Sequence, residues 1–124
     1  MTTAVIVGLA SLPAPLVLGS GSASRAAILR ECGLSFEVCK PGIDEKAIRR
    51  ESAAELVLAL GLAKAEALRT GARGREFAER GALIITADQV VVAMGGRILE
   101  KPESAIEARA FIASYAEEAP RTVG

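Results

Sequence analysis

Apolar runs and helical patterns alternate along this chain, starting at Leu16-Val17-Leu18, which predicts a strand over 16–19. A helical pattern over 23–32 follows, with Gly33 placed to close it as the residue after the C-cap. A second strand is expected over 36–39, and a polar connection over 40–51. Ser52-Ala53-Ala54-Glu55 has the spacing of a capping box, in which the serine hydroxyl and the glutamate three residues on satisfy orphan N–H groups. The helix it opens carries Leu56, Leu60, Ala63 and Ala67 on one face and runs to Gly71.

The basic, glycine-containing stretch 71–81 reads as a surface connection. Ala82-Leu83-Ile84-Ile85-Thr86-Ala87 is too uniformly apolar for an exposed edge and predicts a central strand. Val90-Val91-Val92-Ala93 and Arg97-Ile98-Leu99 flank Met94-Gly95-Gly96, a hairpin signal. A second capping box, Ser104-Ala105-Ile106-Glu107, opens a helix through Phe111, Ile112 and Tyr115, and residues 120–124 read as an incoming strand. This alternation predicts an α/β fold, a layered mixed β-sheet flanked by helices, over residues 15–124, preceded by an N-terminal extension over 1–14.

Composition narrows what such a fold can do. The chain has 124 residues, 51% of them hydrophobic and 24% charged, which is the balance of one globular domain. Its 15 basic and 15 acidic side chains cancel, so no global field draws in nucleic acid or an anionic membrane, and stacking aromatics are few. There is no histidine, which removes the Ser-His-Asp triad and the commonest transition-metal ligand. Chemistry therefore falls to carboxylates, lysines, arginines and a hard metal ion. Cys32 and Cys39 lack metal-ligand spacing and read as small apolar thiols of a reducing compartment. The apolar stretch over 4–10 has no basic residue ahead of it and is too short to span a bilayer, so a cytoplasmic location is expected.

The candidate chemistry begins in Gly19-Ser20-Gly21-Ser22-Ala23-Ser24-Arg25, between the first strand and the first helix. Small hydroxyl residues and glycines at such a turn let backbone N–H groups and a helix N-terminus face an anion, and Arg25 adds fixed positive charge. Taken alone, the same residues also suit any tight turn and N-cap. Asp88 follows the apolar run over 82–87, where open α/β sheets place ligands, and is a candidate base or metal ligand or else the start of a turn. Lys64 lies in an apolar stretch and either snorkels to water or meets an anion. Lys101 precedes Pro102, which restricts its backbone to extended conformations, and is either a cation of fixed direction or a solvated loop lysine. Asp44 and Glu45 are either a solvated acidic pair or what Mg²⁺ or Mn²⁺ requires.

Taken in order, Leu18-Gly-Ser20-Gly-Ser22-Ala-Ser24-Arg25, Ile43-Asp44-Glu45, Ala63-Lys64-Ala65, Thr86-Ala87-Asp88-Gln89-Val90-Val91 and Glu100-Lys101-Pro102 resemble the Maf family of nucleoside triphosphate pyrophosphatases. The resemblance covers about residues 15 to 124 and implies a Maf- and ITPase-like fold. It implies hydrolysis of a non-standard or excess nucleoside triphosphate between its α and β phosphates, giving nucleoside monophosphate and diphosphate. It also implies that Ser20, Ser22, Arg25, Lys64 and Lys101 hold phosphates, that Asp88 is the catalytic carboxylate and that Glu45 joins it in binding Mg²⁺ or Mn²⁺. A homodimer is the implied assembly. Asp88-Gln89 resembles the branch associated with 7-methyl-GTP, in contrast to the Asp-Thr pair of the branch associated with pyrimidine triphosphates.

Three departures stand out. Ala23 and Ser24 replace a proline and a second arginine of the family's loop, and Gly95-Gly96 makes the hairpin one residue longer ahead of Lys101. Family members also continue beyond the Thr122-Val123-Gly124 stretch, so the chain is expected to hold roughly the N-terminal two-thirds of the fold. A catalytically impaired nucleotide-binding or oligomerising remnant is the alternative function.

Overall fold

The structure is a computed structural model that describes residues 14–100, 102–116 and 118–124. The expected N-terminal extension, up to residue 13, and Lys101 lie outside the described residues. The chain divides into two compact units. The first takes the described residues up to Asp44 together with Leu62–Thr86, and the second takes Glu45–Gly61 and Ala87–Gly124.

In the first unit, three parallel strands line up in the order β2-β1-β3: β1 (Leu16–Leu18), β2 (Glu37–Val38) and β3 (Leu83–Ile85). β1 pairs with β2 through Leu18 opposite Val38, and with β3 through Val17 opposite Ile84. Parallel neighbours need a crossover, and α1 (Ala23–Glu31) supplies the one between β1 and β2. Its N-cap is Ser22, whose hydroxyl accepts from the Arg25 N–H, and its C-cap is Cys32, with Gly33 beyond it in the left-handed region. Leu16, Val17 and Leu18 are all buried, and with Ala26, Leu34, Leu68 and Phe77 they form the core of this unit. The expectation that the 82–87 run is central is therefore corrected. Among the described residues β1 is the central strand, and β3 ends the order with Leu83 41% exposed.

The second unit holds an antiparallel sheet in the order β5-β4-β6: β4 (Val90–Val92), β5 (Ile98–Leu99) and β6 (Arg121–Val123). The hairpin closes through a tight turn at Met94–Gly96, with Ala93 N–H donating to the Arg97 carbonyl at 2.8 Å. Gly95 and Gly96 have φ of 73° and 77°, a region closed to most side chains. Pairing beyond it is regular, Val92 opposite Ile98 and Val91 opposite Leu99. β6 is the expected incoming strand and pairs with β4 through Val90 opposite Val123. α4 (Ala105–Tyr115) opens at Ser104, whose hydroxyl accepts from the Glu107 N–H at 3.0 Å. The α/β expectation holds, with its strands distributed over one parallel and one antiparallel sheet.

α2 (Ala53–Thr70) starts as its capping box dictates, with Glu55 N–H donating to Ser52 Oγ at 3.1 Å. Its buried stripe runs Leu56, Leu60, Lys64, Leu68. This i, i+4 row differs by one position from the expected one, which continued through Ala63 and Ala67. A lysine thus occupies a place where the helical period asks for an apolar side chain.

Residues 71–81 are more than a surface connection. They contain α3 (Gly74–Glu79), which buries Phe77 to 2% exposure. The turn is laced by ion pairs: Arg73 to Glu37 (3.1 Å) and Glu76 (2.6 Å), and Arg80 to the same two carboxylates (2.9 Å each). The Arg73 guanidinium also lies 4.7 Å from the Phe77 ring centroid. Arg80, then Arg73, hold the Glu37 carboxyl below its ordinary value, and Arg73, aided by Arg80, does the same for Glu76. Folded-state values below the unfolded ones mean the network's contribution is complete above the unfolded value and is lost as pH falls through the folded one. We therefore expect the urea midpoint to fall between about pH 6 and about pH 3, with a shallower fall in Glu37→Gln. An identical pH profile for the variant would show that this network does not carry the acid sensitivity.

Candidate functional site

In the first unit, the loop Gly19 to Arg25 leaves the carboxyl end of the central strand. Gly19 N–H donates to the Ile85 carbonyl at 2.8 Å, which ties the loop to β3. A Cβ at Gly19 would stand 2.6 Å from Leu68 Cδ1 and 2.8 Å from Thr86 Cγ2, so only glycine allows this close approach. The loop is then held by its own side chains. Ser20 is buried, and its Oγ accepts from Ser22 N–H at 3.1 Å and from Arg25 Nη1 at 3.2 Å. Ser22 and Ser24 share a hydrogen bond at 3.0 Å between their hydroxyls. Ser20, Ser22 and Arg25 are therefore brought together, and the Arg25 guanidinium is fixed at the N-terminus of α1, the positive end of the helix dipole.

Lys64 belongs to the same unit. At 8% exposure it does not snorkel to solvent, and it is engaged with a partner. Burying an ammonium is costly without compensation, so this lysine is held where it is by more than packing.

The carboxylates gather in the second unit. Glu45 opens the short turn Glu45–Ala47, Asp88 and Gln89 immediately precede β4, and all three line a cavity of about 410 Å³. Glu100, part of the Glu100-Lys101-Pro102 motif but given no role there, and Glu103, which the sequence did not single out, line it as well. Arg49 pairs with Glu100 at 2.9 Å, and Lys46 pairs with Glu103. These exposed pairs add little to stability, but they tie the segment after Glu45 to the segment after β5 and so frame the cavity. Asp88 is half-buried, and both it and Glu45 are engaged with partners. Gln89 also lines a second cavity of about 380 Å³ whose wall includes Leu99, Phe111 and Tyr115.

Oxygen donors dominate the polar wall, and hard cations such as Mg²⁺ and Mn²⁺ take such donors. Among the described residues no three acidic, cysteine or histidine side chains converge into a ready cage. Mg²⁺ does not need one, because it keeps several waters and is held by one or two carboxylates with substrate phosphates. The residues present therefore fit such an ion, with Glu45 and Asp88 the candidates, because both carboxylates line the same cavity wall. Among the described residues no helix is long and apolar enough to cross a membrane.

The chain is 38% identical to a 7-methyl-GTP pyrophosphatase of Dictyostelium discoideum, over 82% of this chain and 51% of the relative. It is 46% identical to a 7-methyl-GTP pyrophosphatase of Idiomarina loihiensis, over 71% of this chain and 41% of the relative. A dTTP/UTP pyrophosphatase of Symbiobacterium thermophilum is 39% identical over 75% of this chain and 44% of the relative. The chain spans about half the length of these curated relatives. Residues 15–123 match the family described as Maf-like protein, and with five ordered motifs and an α/β fold carrying them, the chain belongs to the Maf-like protein family.

Proposed function

We propose that this chain is a nucleoside triphosphate pyrophosphatase that hydrolyses a modified or excess nucleoside triphosphate to nucleoside monophosphate and diphosphate. The observation that carries the reading is the pre-organised loop, in which buried Ser20 fixes Arg25 at a helix N-terminus. Such a site suits phosphate oxygens, because donors already in place need no reorganisation when the anion arrives. Names of the relatives add support, since they act on 7-methyl-GTP or on dTTP and UTP.

In this reading Ser20, Ser22, Arg25, Lys64 and Lys101 hold phosphates, and Asp88 accepts a proton from the attacking water. Glu45 and Asp88 hold Mg²⁺ or Mn²⁺, which when bound would neutralise charge on the departing diphosphate. Gln89 is the candidate reader of the base, because its amide offers both a donor and an acceptor beside the aromatic-walled cavity. With glutamine after Asp88, 7-methyl-GTP is the first substrate to try. The reading carries with it a cytoplasmic location, a nucleotide partner and a homodimeric assembly.

The test is diphosphate release from 7-methyl-GTP, dTTP, UTP and the common triphosphates with Mg²⁺ or Mn²⁺. Release from at least one, above that of an Asp88→Asn control, is expected. Release no greater than the control from every nucleotide would sink the reading.

A further inference from the structure

One cation stands beside the loop that no motif picked out. β2 runs parallel to β1 with Val38 opposite Leu18, and Cys39 N–H donates to the Leu18 carbonyl at 3.0 Å. The segments Gly19-Ser20-Gly21 and Cys39-Lys40-Pro41 therefore leave the same end of the sheet from neighbouring strands, where parallel sheets place their ligands. Pro41 restricts the Lys40 backbone to extended conformations, which aims its side chain.

That side chain lies along Gly21. A Cβ built there would be 2.9 Å from Lys40 Cε, 3.3 Å from Cδ and 3.4 Å from Nζ. Gly21 is not among the glycines with positive φ, so its backbone conformation is open to any residue. What its missing Cβ provides is room for the lysine. Among the described residues no ion pair takes up the Lys40 charge. An ammonium, the Arg25 guanidinium and the positive end of α1 are thus gathered at one loop, an arrangement that self-repels until an anion joins it.

We propose that Lys40 is a phosphate-binding residue of this loop, its ammonium joining Arg25 in holding the polyphosphate of the nucleotide. The proposal deepens the pyrophosphatase reading and rests on it for the identity of the ligand. Its chemistry is that of a point charge on a flexible stem, able to follow a phosphate oxygen that the fixed guanidinium cannot. The side chain is exposed, so its removal is expected to leave the fold intact.

The experiment is calorimetric binding of inorganic tripolyphosphate, which has no base and needs no turnover, to the wild type, Lys40→Ala and Lys40→Arg. Lys40→Ala should weaken binding about tenfold, the lower end of what one charge-assisted hydrogen bond contributes, and Lys40→Arg should restore most of it. With a nucleotide substrate, Lys40→Ala should raise KM by a similar factor and leave kcat nearly unchanged. Equal tripolyphosphate affinity of wild type and Lys40→Ala would overturn the proposal, as would failure of the wild type to bind it. Binding that depends on Lys40 without diphosphate release from any nucleotide supports the proposal and overturns only the pyrophosphatase reading.

Discussion

Asp88→Asn is expected to lower kcat for diphosphate release by about 10²–10⁴-fold, the range that a positioned general base supplies. The change is nearly isosteric, so the cavity that Asp88 shares with Glu45, Glu100 and Glu103 keeps its shape. What goes, in the proposed function, is the acceptor of a proton and one of two anionic ligands for a divalent ion. In the proposed roles Asp88 acts on the water and the metal ion and not on the phosphates, so tripolyphosphate affinity measured without metal should stay within about twofold of wild type. Rapid-quench or coupled diphosphate assays at saturating substrate separate the two effects. Undiminished turnover in the variant would move the chemistry to another carboxylate, Glu45 first.

Phe77→Ala carries the largest expected loss of stability, about 3–5 kcal/mol for a buried aromatic truncated to a methyl group. The ring is 2% exposed, and it is the surface on which Arg73 rests while reaching Glu37 and Glu76. A domain of this size has about 5–15 kcal/mol in all, so one substitution removes a large share. A lowered urea midpoint at unchanged slope is the expected result. Leu58→Ala, at a position 64% exposed, is the control and should shift stability by no more than about 0.5 kcal/mol. Equal effects of the two would mean that α3 does not close the core of the first unit.

The elements legible in the sequence were those with local punctuation. Ser22, Ser52 and Ser104 each accept from the N–H three residues on, so the starts of α1, α2 and α4 are fixed by short-range chemistry. The hairpin was legible because Gly95 and Gly96 can occupy the left-handed region at no cost. α3 was not legible. Its glycines and basic residues look like a loop, and what makes it a helix is tertiary: Phe77 going into the core and Arg73 and Arg80 reaching Glu37 on a distant strand. The same holds for the order of the first sheet, since composition reports how apolar a strand is and not which strands flank it.

At the candidate site, the hydroxyls and arginine of the loop were readable because they are contiguous. Lys40 was not, because only the parallel register of β1 and β2 brings it to Gly21. The place of Glu100 and Glu103 on the cavity wall was not readable for a related reason, as it depends on where the hairpin ends. One signal was available for Lys40. A lysine fixed by a following proline, just past a strand adjacent to a phosphate loop, is aimed in a way that a lysine in a free loop is not.

β1 also sets the order in which the first unit can be completed as the chain is made. β2 is at hand soon after β1, but the other edge of β1 is filled by β3, which is translated only after all of α2 and α3. Until Ile85 has left the ribosome, the most buried strand of the unit keeps one row of backbone groups unpaired beside Leu16, Val17 and Leu18. Such an edge pairs readily with other nascent chains. A pause within α2 or α3 would therefore leave the chain for longer at the stage where that edge is unpaired.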